Sequence, residues 1–264
     1  MRHLELFAGI GGFRRAMDLL TQDHIMDFHC IGYSEIDAKA VKTYCANYHP
    51  EVDGELAMGD IVEFTCNKNN MDNLPQFDLV TGGFPCQTFS MMGKQAGFNE
   101  DRGQMFFHII DILAVKMPRY VLLENVKNLK SHDKGRTFAR IKQELEALGY
   151  QVFTDIFNTA QFHLPQTRNR LLIFATTEPV PADFEVQFTC DNIAGLFDQV
   201  YQDLGTYHYQ SVNDILSLDV DQKYFLSERI KPTLLADGSA NFKSKSDINM
   251  SIARPLTATM HKMH

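Results

Sequence analysis

Short apolar segments alternate with stretches of helical spacing along the first two thirds of this chain, and that alternation limits the fold more than any other feature. Leu4–Phe7, Cys30–Ser34, Phe77–Thr81, Tyr120–Leu123, Val152–Ile156 and Leu171–Ala175 read as strands. Between them, Phe13–Leu20, Ala38–Tyr48, Met105–Val115 and Thr137–Leu148 repeat their apolar residues with helical spacing, and Gly149 closes the last. Phe77–Thr81 and Tyr120–Leu123 are nearly continuous apolar runs, as expected of strands covered on both faces. The pattern predicts an α/β, Rossmann-like fold, a mostly parallel sheet with helices on both sides. The 264 residues are enough for one large domain with a full core.

No apolar run approaches the roughly 18 residues of a membrane span, and no signal peptide is visible. The five cysteines (Cys30, Cys45, Cys66, Cys86 and Cys190) form neither a Cys-x-x-Cys pair nor a zinc spacing. His261 and His264 lack further ligands, so no metal is expected. An odd, scattered set of thiols suits a reducing cytosol, and the expected location is the cytoplasm.

The net charge of -8 argues at first sight against a nucleic-acid partner. Its distribution removes the objection. Residues 178–222 hold nine acids and no Lys or Arg, which leaves +1 for the rest. Residues 124–170 carry +3, and residues 223–264 carry +4. A duplex feels the field within about 10 Å, so the local balance matters more than the total. The acidic stretch shows little sustained periodicity and reads as a connecting segment.

Four motifs carry the chemistry. Leu6-Phe-Ala-Gly-Ile-Gly-Gly-Phe-Arg14 follows the first strand and opens the first helix, where glycines let backbone approach a ligand. A dinucleotide fingerprint would need a third glycine at position 14, which is Arg14, so a nucleoside ligand without a pyrophosphate fits better. Glu35 ends the second strand, and Asp60 follows a short segment that could be the third. Carboxylates there can hold ribose hydroxyls or an exocyclic amine, or merely cap a helix. Gly82-Gly-Phe-Pro-Cys-Gln87 puts a thiol on the loop after a buried strand, placed like a nucleophile. In Leu123-Glu-Asn-Val126, Glu124 ends a very apolar strand and could pass a proton to a substrate. In Gln166-Thr-Arg-Asn-Arg170, Arg168 and Arg170 are expected on opposite faces of the strand that follows, one toward a site and the other toward a phosphate or a structural carboxylate.

In this order the motifs resemble those of the DNA (cytosine-5) methyltransferases of bacterial and phage type, densely from Leu4 to about Ala175. The resemblance implies an S-adenosylmethionine-dependent methyltransferase fold and transfer of methyl to C5 of a cytosine flipped out of duplex DNA, in a restriction-modification setting. It implies that Cys86 is the nucleophile, that Glu124 contacts cytosine N3 and N4, and that Arg170 lies near O2 with Arg168 as its companion. It has Asn125 support the Cys86 loop. Phe7, Gly9, Gly12, Glu35, Ile36, Asp60, Gly83, Pro85 and Met105 match cofactor neighbours. Residues 87–102 resemble a mobile loop that closes on DNA, with Gln87, Ser90 and Arg102 at the nucleic acid.

The family's recognition domain and last conserved helix are not matched. Arg254-Pro-Leu-Thr-Ala-Thr259 resembles only the approach to that domain. The expected organisation is a catalytic domain over 1–177, the acidic segment 178–222, and an incomplete recognition region over 223–264. The remainder would come from a second polypeptide or from a longer chain. An RNA cytosine methyltransferase of the tRNA-modifying branch and a non-catalytic cofactor-binding subunit are the rival readings.

Overall fold

The computed structural model describes residues 1–85, 105–204, 209, 211–225, 227–229, 231–235 and 250–255. The chain forms two compact units. One is Met1–Phe157 with Arg170–Ile193, and the other is Asn158–Asn169 with Ala194–His264.

The elements of the larger unit run β1 (Arg2–Leu6), α1 (Gly12–Gln22), β2 (His29–Ser34), α2 (Ala38–Tyr48), α3 (Pro50–Asp53), β3 (Leu56–Ala57), α4 (Ile61–Cys66) and α5 (Lys68–Asn73). They continue as β4 (Leu79–Gly83), α6 (Met105–Lys116), β5 (Tyr120–Val126), α7 (Arg136–Ala147), β6 (Gln151–Asn158) and β7 (Asn169–Thr176). The seven strands lie in the order β3-β2-β1-β4-β5-β7-β6. Strands β1 to β5 pair in parallel, and β7 runs antiparallel to β5. The chain leaves β1 toward one edge through α1 and later builds toward the other edge through β4 and α6. Right-handed crossovers in opposite directions put α1 and α6 on opposite faces. The reversal between β1 and β4 makes a switch point, and such sheets bind ligands outside the carboxyl ends of the strands there.

Of the two runs expected to be covered on both faces, the one in β4 is buried nearly throughout, whereas β5 alternates, with Tyr120 and Leu122 only partly buried. Leu4, Leu6, Val80, Val121, Leu123, Leu171 and Ile173 are shielded from solvent, as are Phe106, Ile109, Ile112 and Leu113 on one side of α6. Polar groups also enter this sheet, and His3 is paired through one of its two ring nitrogens. His3 Nε2 and Thr81 Oγ1 lie 2.7 Å apart on adjacent strands. Burial, with some help from Arg14, lowers the His3 pKa to about 3, so the ring is neutral.

The acidic stretch is more ordered than its sequence suggested. It contains α8 (Phe184–Gln187) and the fifteen-residue α9 (Cys190–Leu204). Phe184 and Phe188, one turn apart, account for the first part. The Phe184 ring lies 4.7 Å from that of Phe153 and 5.8 Å from that of Phe174, while Phe188 lies 5.6 Å from Phe157. Asp155 also accepts the Cys190 amide at 2.7 Å. Acids at 191, 198 and 203 hid a helical spacing of Cys190, Ala194 and Phe197.

In the smaller unit, Phe162 meets Phe197 edge-on at 5.4 Å and His163 pairs with Asp198 at 2.6 Å. A parallel bridge joins Gln166 to Ala253. The short helix α10 covers Lys231–Leu235. Among the described residues no helix is long and apolar enough to cross a membrane.

Truncating Ile109 would leave a cavity under the middle of the sheet. Ile109→Ala is expected to lower unfolding free energy by about 2–5 kcal/mol in urea denaturation, with the denaturant slope unchanged.

Candidate active site

The loop after β1 is shaped by backbone constraints before any side chain acts. Phe7 adopts a left-handed conformation, φ 52°, which costs a non-glycine residue on the order of 1–3 kcal/mol. Its ring packs against the core, which holds it there. Gly11 has φ 88°, and a Cβ at that position would lie 2.2 Å from the Tyr48 ring. Only glycine fits. Tyr48 also donates its hydroxyl to the Gly11 carbonyl at 2.8 Å, so α2 braces the turn that opens α1.

Glu35 ties the end of β2 to this turn. Its Oε2 accepts the Gly9 amide at 2.8 Å, and Oε1 accepts the amides of Ile36 and Asp37, each at 2.8 Å. A carboxylate has about four acceptor positions, so capacity for one more donor remains. Beside it, Ile36 stands 74% exposed and Ile10 62% exposed, two apolar side chains offered to solvent at the strand ends. Gly12 begins α1, with open space where a Cβ would stand. Asp60 takes the role that its position alone suggested, capping α4 through Val62 N at 2.8 Å; only one of its oxygens is so used.

Under the loop lies a group that the sequence analysis passed over. Glu5 interrupts the apolar β1 and is shielded from solvent, accepting the Arg14 amide at 3.3 Å. Burial pushes its carboxyl from the ordinary 4.5 up to about 7, opposed by the Arg14 and Phe13 amides and the Tyr44 hydroxyl. Arg14 pairs with Asp18 at 2.9 Å and with Glu55. An acid inside a strand buried on both faces was the available signal.

The second half of the site lies where β4 and β5 end together. Gly83 is opposite Glu124 in the parallel register, and a Cβ on Gly83 would come within 3.3 Å of the Glu124 carboxylate. Arg170 Nε meets Glu124 Oε1 at 2.5 Å, with about a quarter of each side chain exposed. In the antiparallel pairing of β5 with β7, Arg170 faces Val126, so Glu124 is its diagonal neighbour on the same face. Asn125 is buried; its Nδ2 donates to the Phe84 carbonyl at 2.9 Å and its Oδ1 accepts the Val126 amide. The Phe84 ring is buried against Phe106 at 5.6 Å, while Pro85 is exposed. Met105 begins α6 and packs on the core.

The structure thus gathers Phe7, Gly9, Gly12, Glu35, Ile36 and Asp60 at one set of strand ends, and Gly83, Pro85, Glu124 and Arg170 at the next. Arg168 differs from expectation. Residues two apart on a strand share a face, so the pleat would not separate it from Arg170. Strand β7 begins only at Asn169. Arg168 belongs to the preceding segment, where its amide donates to Thr159 Oγ1 and its carbonyl accepts the Thr159 amide, both at 3.1 Å. Cys86, Gln87, Ser90, Arg102, His261 and His264 lie outside the described residues.

The fold is that of solved methyltransferases. The Dnmt2 methyltransferase of S. pombe superposes with a TM-score of 0.64 at 21% identity, over 88% of this chain and 65% of that one. The family model for C-5 cytosine-specific DNA methylases matches residues 1–262, and the chain belongs to that family. A type II methyltransferase of Lactococcus lactis subsp. cremoris is 38% identical over 86% of this chain and 51% of its own length. An orphan methyltransferase of Bacillus phage rho11s is 34% identical over 86% and 46%. The chain spans about half the length of the curated relatives it matches.

Two measurements test the loop. Gly11→Ala, strained at its left-handed φ and pressed on the Tyr48 ring, is expected to cost about 1–3 kcal/mol of unfolding free energy in urea denaturation, whereas Tyr48→Phe, losing one hydrogen bond, costs about 1 kcal/mol of stability. Glu5→Gln tests the buried carboxyl. Because folding raises its pKa, Glu5 contributes fully below 4.5 and that contribution is lost as pH rises through 7. The variant should therefore gain stability relative to the parent across that window and level off above it.

Proposed function

We propose that this protein transfers a methyl group to C5 of cytosine in duplex DNA, through covalent addition of Cys86 to a flipped base, within a restriction-modification system. The reading rests on one arrangement above the others. The Glu124–Arg170 pair stands beside the strand end, Gly83, from which the chain runs through Phe84 and Pro85 to Cys86.

Family and fold imply S-adenosylmethionine as the cofactor, and the strand ends suit it. Glu35, oriented by three backbone amides, has acceptor capacity left for a ribose hydroxyl. Ile36 offers an apolar plate to an adenine, and Asp60 keeps an oxygen for its amine. Phe7, Gly9 and Gly12 would line the methionine side, with Gly83, Pro85 and Met105 as further neighbours. When bound, the cofactor supplies an electrophilic methyl on a sulfonium.

Cytosine C5 alone is too weak a nucleophile to accept that methyl. In the proposed mechanism the Cys86 thiolate bonds to C6, which shifts electron density to C5. Glu124 holds a proton at N3 and accepts from N4, so the ring tolerates the added charge. Arg170 steadies the O2 side, and it also keeps the Glu124 carboxylate oriented before substrate arrives. Once C5 carries its new substituent, a base takes the C5 proton, the C5–C6 double bond re-forms, and Cys86 leaves C6 as the thiolate. The target base is out of reach inside a duplex and must swing out first. Gln87, Ser90 and Arg102 are assigned to the DNA, the last two near its phosphates, and Arg168 is the companion of Arg170.

We read 1–177 as the catalytic region, 178–222 as the acidic connection and 223–264 as the start of a target-recognition region. Further residues, on this chain or a second polypeptide, would complete the reading of sequence. Cys30, Cys45 and Cys66 are free thiols, and the proposed location is the cytoplasm.

Covalent trapping on a duplex containing 5-fluorocytosine is the decisive test. An adduct that forms with the parent and is lost in Cys86→Ala supports the mechanism; equal trapping in the variant sinks it. Glu124→Gln is expected to slow labelled methyl transfer by about 100- to 10,000-fold. Preferential labelling of tRNA over duplex DNA would favour the RNA reading.

A further inference from the structure

The segment that follows Glu124-Asn125-Val126 carries an unusual concentration of positive charge. Lys127, Lys130, Lys134 and Arg136 face a single acid, Asp133, across ten residues of a chain whose net charge is -8. Elsewhere on α7 the basic side chains are neutralised one turn on, Arg140 by Glu144 and Lys142 by Glu146 at 3.6 Å. Arg136 pairs with Asp133, and that guanidinium, with smaller help from His132 and Lys134, holds the carboxyl below its usual range. Among the described residues, Lys127, Lys130 and Lys134 form no ion pair, and all three are exposed.

The backbone here is held rigidly in a costly form. Asp133, Lys134 and Gly135 are left-handed in succession, with φ of 50°, 58° and 84°. Such conformations persist only where the surroundings impose them. Leu129 is fully buried beneath the first turn, and His132 Nδ1 lies 2.7 Å from Oγ1 of the buried Thr137. Ser131 closes the turn on the Asn128 carbonyl at 3.2 Å through its amide. The result is a fixed platform at the same strand ends as the site. Lys127 is three residues beyond Glu124, at most about 11 Å along the chain.

From this geometry we infer that the Lys127–Lys134 turn is a phosphate-binding surface for duplex DNA, gripping the backbone beside the flipped base. The inference rests on the function proposed above. A base held at Glu124 brings its own and neighbouring phosphates within reach of side chains one turn further along the chain. Unpaired lysines on a rigid turn lose little order on binding, and each phosphate they neutralise releases counterions.

The test measures binding of the full chain to a short fluorescein-labelled duplex as salt is varied, for the parent and for Lys127→Gln/Lys130→Gln/Lys134→Gln. The parent should show a steep linear dependence of log K on log salt. The triple variant should lose about 2–3 from that slope, and weaken alike on every duplex sequence. Lys142→Gln, on the paired face of α7, serves as a control and should keep the parent's slope. Unchanged unfolding and S-adenosylmethionine affinity show that the triple variant is intact. An unchanged slope in the triple variant, no salt-dependent duplex binding by the parent, or the same loss of slope only with a structured RNA would each overturn the inference. Fluorocytosine trapping separates the two claims: an adduct with an unchanged slope removes the turn and leaves the reaction.

Discussion

The structure turns on the parallel pairing of β4 with β5, which sets a residue without a side chain opposite a carboxylate. Gly83 lies across from Glu124, and a methyl group there would press within 3.3 Å of the acid. That clearance keeps Glu124 at the mouth of the sheet with room for a partner on either side. One side is taken by Arg170, brought in by β7, which runs antiparallel to β5. The other side borders the segment leading to Cys86, which Asn125 fastens at the Phe84 carbonyl. Pairing, space and charge depend on the same few residues.

The switch point between β1 and β4 separates two tasks. On one side Glu35 and the Phe7–Gly12 turn are joined by hydrogen bonds that use backbone amides as donors, so the shape of that turn depends little on long side chains. On the other side the work is done by charged side chains at strand ends. The buried Glu5 sits under the first side, beneath a loop already strained at Phe7 and braced by Tyr48. A proton on Glu5 changes the charge directly below the turn, and the stability it contributes is lost as pH rises through about 7.

Much of this was legible in the sequence, for physical reasons. Strands β1, β2 and β4 are buried along nearly their whole length, whereas β5, β6 and β7 are covered unevenly, and all six were read as short apolar segments between stretches of helical spacing. The boundaries of α2 were read to the residue, helped by the Asp37 cap at its start. The short helices α3, α4 and α5 were not found, because four to six residues give too few turns for a period to show. Helix α9 was missed because Asp191, Asp198 and Asp203 interrupt its apolar positions. Glu35, Asp60, Gly83 and Glu124 drew notice because each lies at or near the end of a strand. Tyr48 was not, since a tyrosine at the end of an amphipathic helix looks like core until its hydroxyl is seen on the Gly11 carbonyl. The error over Arg168 came from giving opposite faces to residues two apart, which a pleat puts on one face, and from starting the strand before Asn169.

The antiparallel course of β7 has a consequence for how this architecture can vary. Arg170 reaches Glu124 diagonally across two hydrogen-bonded strands, so a slip of one residue in β7 would turn the guanidinium to the opposite face. Length can therefore drift in the connection between β6 and β7 but not between Arg170 and the body of its strand. A lineage may remodel the intervening loop freely, while the spacing from Arg170 to Leu171 and Ile173 is locked by the layer that buries them.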